Sequence, residues 1–404
     1  MIRLNRQFID FYKHIFGESN FNKYTTVLNR REKFIHCWLW NPDEKLIHDL
    51  ESNSAEKLSS HFPIYQLGQN KYSQNLINKY RNSSVFQQAL DSQLTVWSTY
   101  DSETENLKIL DLCCSPGSKL SQILYKTANN DNSMIFGNDI SITRLKQVRD
   151  RFKNIPIHSQ NLQNNTRIPS NLILTNVDGQ LWPTSVEKFN IIYCDVPCTG
   201  DGTFNKIKPG ADPRTWSVSN AFRLSKIQIN LLKKSIELTK PGGFVVYSTC
   251  SMNPIENEFV VDNILKEYSG DVELVNVEVG RVLDNKYDFV TNGLSSLDIQ
   301  GCGFDNKELV KCVRFEPFKT EVTGGFFMVK LRKLKATNGI SRIEYDDFKI
   351  KIKNRRKSAS EYRHNLLELR KYTSEHNILT QNERVLNLFK EFESRGGSPV
   401  KILF

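Results

Sequence analysis

The chain has no apolar run near the roughly 20 residues that a bilayer-spanning helix needs. Its first apolar stretch, MIRLNRQFIDFYKHIF, is interrupted by Asp10 and Lys13 where a secretion signal would be uniformly apolar. A protein with no membrane partner and no secretion is expected. The sequence also lacks any C-x-x-C pair. Its eight cysteines, at 37, 113, 114, 194, 198, 250, 302 and 312, do not have the even spacing of a disulfide framework, so reduced thiols are expected. No histidine stands at zinc-ligand spacing from a cysteine. His36 beside Cys37 has no second pair to complete four ligands, and no metal site is expected. A G-x-G-x-x-G turn is absent, which disfavours a dinucleotide. There is no acidic excess either: 55 Lys and Arg stand against 45 Asp and Glu, and the net charge of +10 favours polyanionic partners, nucleic acid before membrane.

What is present is organised around Phe189–Lys206, FNIIYCDVPCTGDGTFNK. The β-branched and aromatic run Phe189, Ile191, Ile192, Tyr193 reads as a buried strand that ends in Asp195. Pro197 cannot donate a ladder hydrogen bond and fixes its own φ, so pairing stops where Asp195 and Cys198 face outward. On both sides of this stretch, from residue 107, strand and helix patterns alternate as in a parallel sheet covered by helices. Strands are expected at Leu107–Leu112, Met134–Asp139, Leu172–Asn176, Phe189–Asp195 and Gly243–Ser248. Helices are expected at Ser141–Phe152 and Ser219–Leu238, the second ended by Pro241-Gly242-Gly243, and at Glu258–Tyr268. A further strand, Gly324–Leu331, closes the sheet after an irregular segment at 281–306. The expected core is α/β.

The first strand runs into DLCCSPGSK (Asp111–Lys119), and Leu120, Ile123 and Leu124 then recur as on a helix. A Pro-Gly turn between strand and helix brings backbone N–H groups and a helix N-terminus against a ligand, at the crevice where open α/β sheets bind. The second strand ends in Asp139, where a carboxylate accepts from ribose hydroxyls, and Asp178 follows the third strand, placed to meet an adenine edge. Acids at consecutive strand ends beside such a turn favour a nucleoside cofactor. With strands in the order 3-2-1-4-5, the fourth and fifth are neighbours, and Cys198 and Cys250 leave their strand ends side by side. Two thiols, a carboxylate and a lysine beside a nucleoside cofactor suit methylation of a pyrimidine at carbon 5. Adding a thiolate to carbon 6 makes carbon 5 nucleophilic, which splits one hard step into two easier ones, and a second thiol can assist release.

DLCCSPGSK, Asn138-Asp139, DVPCTGDGT (195–203), YSTCSMNPIENE (247–258) and TGGFF (323–327) resemble, in order, the motifs of the Nop/Sun family of RNA cytosine-5 methyltransferases, most of all its transfer-RNA branch. The resemblance covers about residues 107–332. It implies a Rossmann-like S-adenosylmethionine-dependent methyltransferase sheet with helices on both faces, flanked by N-terminal and C-terminal appendages. It further implies that Cys250 is the nucleophile at carbon 6, that Cys198 serves product release, that Asp195 hydrogen-bonds the target cytosine and that Lys119 helps orient it. The S-adenosylmethionine site implied is Cys113, Cys114, Ser115, Pro116, Gly117, Ser118 and Lys119 with Asp139, Asp178 and Asp195, and Arg144 matches a basic position common in the family. The first motif departs from the usual CAAPGxK, and Pro317 is followed by Phe318 where relatives commonly have His.

Residues 1–100 are read as an N-terminal RNA-binding or packing extension, 101–334 as the catalytic domain and 335–404 as a basic, mostly helical extension. Val85–Tyr100 is expected to be one helix, with Phe86, Leu90, Leu94 and Trp97 on its packed face. The run Lys349–Lys357, KIKIKNRRK, carries six positive charges and reads as a solvated face, an RNA clamp or a nuclear-import signal. The expected protein is a nuclear monomer, with the nucleolus or cytoplasm as alternatives, acting on transfer RNA. The competing readings are a ribosomal RNA methyltransferase and a catalytically idle RNA-binding assembly factor. A DNA methyltransferase is disfavoured because Cys198 is followed by Thr199, not by Gln.

Overall fold

The structure is a computed structural model. It describes residues 3–29, 33–81, 83–100, 106–128, 132–152, 171–182, 188–204, 212–285, 290–319, 324–335 and 401–403. The run Lys349–Lys357 and nearly all of the expected C-terminal helical extension lie outside the described residues. No described helix is long and apolar enough to cross a membrane.

The first hundred residues hold α1 (Arg6–Asn29), β1 (Phe34–Leu39), α2 (Glu44–Ser52), β2 (Glu56–Lys57), β3 (Ile64–Gly68), α3 (Lys71–Tyr80), β4 (Val85–Gln87) and α4 (Leu90–Thr99). The four strands form a small antiparallel sheet in the order β2-β3-β1-β4. The helix expected over Val85–Tyr100 is therefore divided. Val85 and Phe86 pair with Leu39 and Trp38 in the small sheet, and the helix begins only at Leu90. Phe86 stacks on Trp38, with centroids 4.4 Å apart, so the apolar spacing that resembled one helical face serves a strand and then a helix.

The large sheet is built from β5 (Lys108–Asp111), β6 (Met134–Asn138), β7 (Leu172–Asn176), β8 (Phe189–Asp195) and β9 (Thr239–Thr249), all parallel in the order β7-β6-β5-β8-β9. Between them run α5 (Ser118–Thr127), α6 (Ile142–Phe152) and α7 (Val218–Leu238), with α8 (Glu258–Glu267) after β9. β10 (Val272–Val275), α9 (Val279–Val282), β11 (Val290–Asn292), β12 (Ser296–Leu297), β13 (Phe304–Asp305), β14 (Val313–Phe315) and β15 (Phe326–Lys333) follow. β15 lies antiparallel on β9, and β14 lies antiparallel on β15. At the opposite edge β16 (Lys401–Leu403) pairs antiparallel with β7.

Strands buried on both faces read as continuous apolar runs, and these do. Ile109, Ile135, Leu174, Ile191 and Val246 face one core with α4, α5 and α6. Their neighbours Leu110, Phe136, Ile173, Ile192 and Val245 face the other with α7 and α8. The sheet is a Rossmann-like α/β sheet with helices on both faces. One expected stop differs: α7 ends at Leu238, and Pro241-Gly242-Gly243 lies inside β9, at the register shift between Phe189 and Ile191 on its partner.

A third core joins α1 to the carboxyl end of β8 and β9. Phe8, Tyr12 and Tyr24 pack with Phe204, Trp216, Met252 and Ile255. The chain within α1 breaks helical geometry at Gly17, where φ is 73°.

Candidate active site

Parallel strands all end at one edge of the sheet, so the loops leaving their carboxyl ends line one crevice. β8 delivers Asp195 and, three residues on, Cys198; β9 delivers Cys250. Pairing of Asp195 with Ser248 in register sets the two loops side by side, and the Cys198 and Cys250 sulfurs lie 3.3 Å apart, both partly buried and not joined in a disulfide. The neighbouring Cys250 sulfur, together with burial, pushes the Cys198 thiol well above its ordinary range, so at neutral pH Cys198 keeps its proton.

Lys119, from the first turn of α5, reaches across to Asp195. Its Nζ lies 2.7 Å from Oδ2 and also donates to Ser92 Oγ at 3.0 Å. Ser248 Oγ donates to the other Asp195 oxygen at 2.7 Å. The side chain of Lys119 is 6 % exposed and that of Asp195 34 %, so the pair is anchored from within and open on the carboxylate side. Ser92 and Ser248 were not singled out in the sequence. Nothing local marks Ser92, which arrives from α4, 27 residues away.

Of the expected cofactor residues, the 113–119 turn, Asp139 and Arg144 gather at the β5–β6 end of the crevice, while Asp178 follows β7 and Asp195 ends β8. Gly117 starts α5 with φ at +95°, a left-handed conformation that favours glycine, and its Cα faces Val148 so closely that a Cβ would stand 3.2 Å from that side chain. Asp139, 2 % exposed, accepts the backbone N–H of Ser115 at 3.3 Å and of Ser141 at 2.8 Å. Arg144 lies 3.5 Å from Asp139 and donates to the Ser115 carbonyl at 2.6 Å, so it braces the 113–119 turn. Asp178 caps a short turn by accepting from the backbone and side chain of Gln180. Cys113 is partly buried and Cys114 buried, and burial pushes both thiols upward.

Asp111, at the end of β5, enters the turn as the first residue of DLCCSPGSK. It is 1 % exposed, and neither carboxyl oxygen has a hydrogen-bond partner. Burial raises it to about 8, with the charge of Asp195 adding and that of Lys119 opposing. The folded group therefore stays protonated where the unfolded one, at 3.8, is ionised. The folded state binds the extra proton, and stability falls as pH rises from about 4 to about 8. Asp111→Asn is expected to remove that fall, and urea midpoints at pH 5 and pH 8 should converge in the variant.

Behind the thiols lies a network of buried acids. Glu256, fully buried, accepts from the Thr199 backbone N–H (2.9 Å) and hydroxyl (2.5 Å), from Ser251 Oγ (2.9 Å) and from Gln228 (3.1 Å). Burial, then the charge of Asp201, pushes it up to about 7. Asp201 accepts from the Tyr12 hydroxyl, from Trp216 Nε1 at 3.2 Å and from the Met252 N–H at 2.7 Å, while Tyr24 donates to its carbonyl. Each acid ties the loop carrying Cys198 to the loop carrying Cys250. Gly202 completes the join: a Cβ there would stand 2.0 Å from the Gly325 carbonyl oxygen, so no side chain fits.

Glu258 and Arg314 form a fully buried pair with both contacts at 2.6 Å, and Arg314 also donates to the Met252 carbonyl at 3.0 Å. Arg314→Met leaves the carboxylate buried alone and is expected to cost about 3–5 kcal/mol in urea unfolding, whereas the double variant with Glu258→Leu recovers most of it.

The family model described as 16S rRNA methyltransferase RsmB/F matches residues 99–332. The chain is 33% identical over 185 residues to a multisite-specific tRNA:(cytosine-C(5))-methyltransferase of Saccharomyces cerevisiae, covering 42% of this chain and 25% of the relative. It is 35% identical over 176 residues to a tRNA (cytosine(34)-C(5))-methyltransferase of Drosophila melanogaster, covering 42% of this chain and 23% of the relative. The matches thus span about a quarter of these relatives' length. Among solved structures, a methyltransferase homologue protein from Pyrococcus horikoshii superposes with a TM-score of 0.62 at 22% identity, over 80% of this chain and 94% of that one, a likeness of fold.

Proposed function

Because the chain belongs to the 16S rRNA methyltransferase RsmB/F family, we propose that it is an S-adenosylmethionine-dependent RNA (cytosine-5) methyltransferase acting, as a monomer, on transfer RNA. The observation that carries this reading is the pair of thiols 3.3 Å apart at the ends of adjacent parallel strands, beside the Lys119–Asp195 pair. We assign the chemistry to 101–334 and a grip on the RNA to the flanking 1–100 and 335–404. The name of the matching family favours ribosomal RNA as the second reading.

The residues present fit the cofactor. The Gly117 turn directs the N-terminus of α5 into the crevice, Asp139 stands at the end of β6 for ribose hydroxyls, and Asp111 holds two buried oxygens without partners below. Residues 113–119 with Asp139, Asp178 and Asp195 would hold it, with Arg144 bracing the turn. When bound, the cofactor supplies an electrophilic methyl group.

Asp195, held by Lys119 and Ser248, is assigned the acceptor for the amino group of a cytosine. Cys250, its thiol proton given up to solvent, adds as the thiolate to carbon 6; the C–S bond forms as the 5,6 double-bond pair shifts toward carbon 5, which becomes nucleophilic. Once carbon 5 carries the methyl group, its hydrogen leaves as a proton. The electron pair of that C–H bond re-forms the 5,6 double bond, and the C–S bond breaks with its electrons on sulfur. Cys198 is assigned the acceptor of that proton, as the thiolate left after its own proton has passed to solvent. Its thiol is raised first by Cys250, and that restraint weakens once the Cys250 sulfur is bonded to carbon. A target base in structured RNA must leave its stack to reach such a crevice.

Tritium transfer from labelled S-adenosylmethionine to total transfer RNA and, separately, to ribosomal RNA tests the reading. Label in transfer RNA is expected. Label only in ribosomal RNA selects the second reading, and none in either overturns the activity. Nuclear placement, suggested by Lys349–Lys357, is checked by imaging a tagged chain with and without that run.

A further inference from the structure

A cavity of about 550 Å³ opens between α1 and the chain that leaves β14. Its walls include the rings of Phe16 and Phe318, 5.2 Å apart and inclined by 62°. Lys23 and Lys319 stand exposed at its rim, Glu316 is half-buried in its wall, and Arg314 closes its floor.

Register places this cavity at the catalytic edge. Phe327 of β15 pairs with Thr249, the residue before Cys250, and Phe326 pairs with Phe315, the last residue of β14. The segment carrying Glu316, Phe318 and Lys319 therefore emerges on the same side as the thiols, two strands across, or about 10 Å at the ordinary strand spacing. The order along the sheet is cofactor crevice at β6 and β5, thiols at β8 and β9, and cavity at β14. The cavity thus lies beyond the thiols, on the side away from the cofactor residues. It is tied to them physically as well: Arg314 holds the Met252 carbonyl, two residues past Cys250, and Phe16 stacks on Tyr12, whose hydroxyl donates to Asp201.

Ring faces, rim cations and a carboxylate acceptor match the three parts of a nucleotide: the flat base, the phosphate and the amino or imino edge. We propose that this cavity is a nucleotide subsite that takes a base flanking the target cytosine, stacked against Phe318 and Phe16, with its phosphate at Lys23 and Lys319. The assignment rests on the RNA methyltransferase reading above. It makes the neighbouring nucleotide, along with the target itself, a point of recognition. It also gives a role to Phe318, the residue that replaces the expected histidine.

Steady-state methylation and equilibrium binding with total transfer RNA test it, using Phe318→Leu, Phe318→Trp and the double variant Lys23→Gln/Lys319→Gln. Phe318→Leu keeps an apolar side chain without a ring face and is expected to raise KM and Kd for RNA roughly tenfold, with kcat within about twofold. Phe318→Trp should restore wild-type values. The lysine variant, altered only at the exposed rim and so insulated from folding, should weaken binding and reduce the slope of log affinity against log salt by about 1 to 2. Wild-type KM, Kd and salt slope in Phe318→Leu and the lysine variant, with methylation intact, overturn the subsite alone. A wild-type protein that neither binds nor methylates RNA overturns the enzyme reading, and the subsite falls with it.

Discussion

Cys250→Ala is expected to lower methyl transfer by roughly a thousandfold or more, with S-adenosylmethionine affinity within about twofold of wild type. The loss follows from the division of labour in the crevice. Most of the cofactor residues belong to the ends of β5 and β6 and the turn into α5, with Asp178 after β7 and Asp195 ending β8, whereas Cys250 stands at the end of β9. Removing its sulfur takes away the bond to carbon 6 that makes carbon 5 reactive and leaves the binding turn untouched. Single-turnover transfer to transfer RNA, beside isothermal titration of the cofactor, separates the two effects. Full activity in the variant would remove Cys250 from the role of nucleophile.

Cys198→Ala is expected to stop turnover at a different point, lowering kcat by roughly a hundredfold or more while the first bond still forms. Cys250 keeps its place because other groups hold its loop: Ser251 Oγ on Glu256, the Met252 N–H on Asp201 and the Gly202 N–H on the Cys250 carbonyl. The enzyme should therefore load onto RNA and fail to leave it. A burst of one methyl group per enzyme followed by no further transfer is the expected time course, and wild-type turnover would release Cys198 from its assigned role.

The sheet was legible because its strands are buried on both faces. Ile109-Leu110 and Ile191-Ile192 split their side chains between two cores, so each strand reads as an unbroken apolar run, and the order 3-2-1-4-5 taken for such a sheet is the one observed. The same logic put Cys198 and Cys250 side by side, as their sulfurs are. What could not be read was long-range. Tyr12 reaches Asp201 across 189 residues and Ser92 reaches Lys119 across 27, and no local pattern announces either contact. Phe86 misled because a four-residue spacing to Leu90 suits a helix, while its stacking on Trp38 and pairing across β1 hold it in a strand. Asp111 was visible as a letter in the motif, but its lack of partners is a property of the folded surroundings.

The central claim is covalent catalysis shared between the two thiols, and denaturing electrophoresis of Cys198→Ala incubated with transfer RNA and labelled S-adenosylmethionine tests it most directly. The expected result is a protein–RNA band that survives denaturant and disappears when Cys250→Ala is added to the same chain. Absence of any such band, from a variant that still binds both RNA and cofactor, would contradict covalent catalysis by this pair.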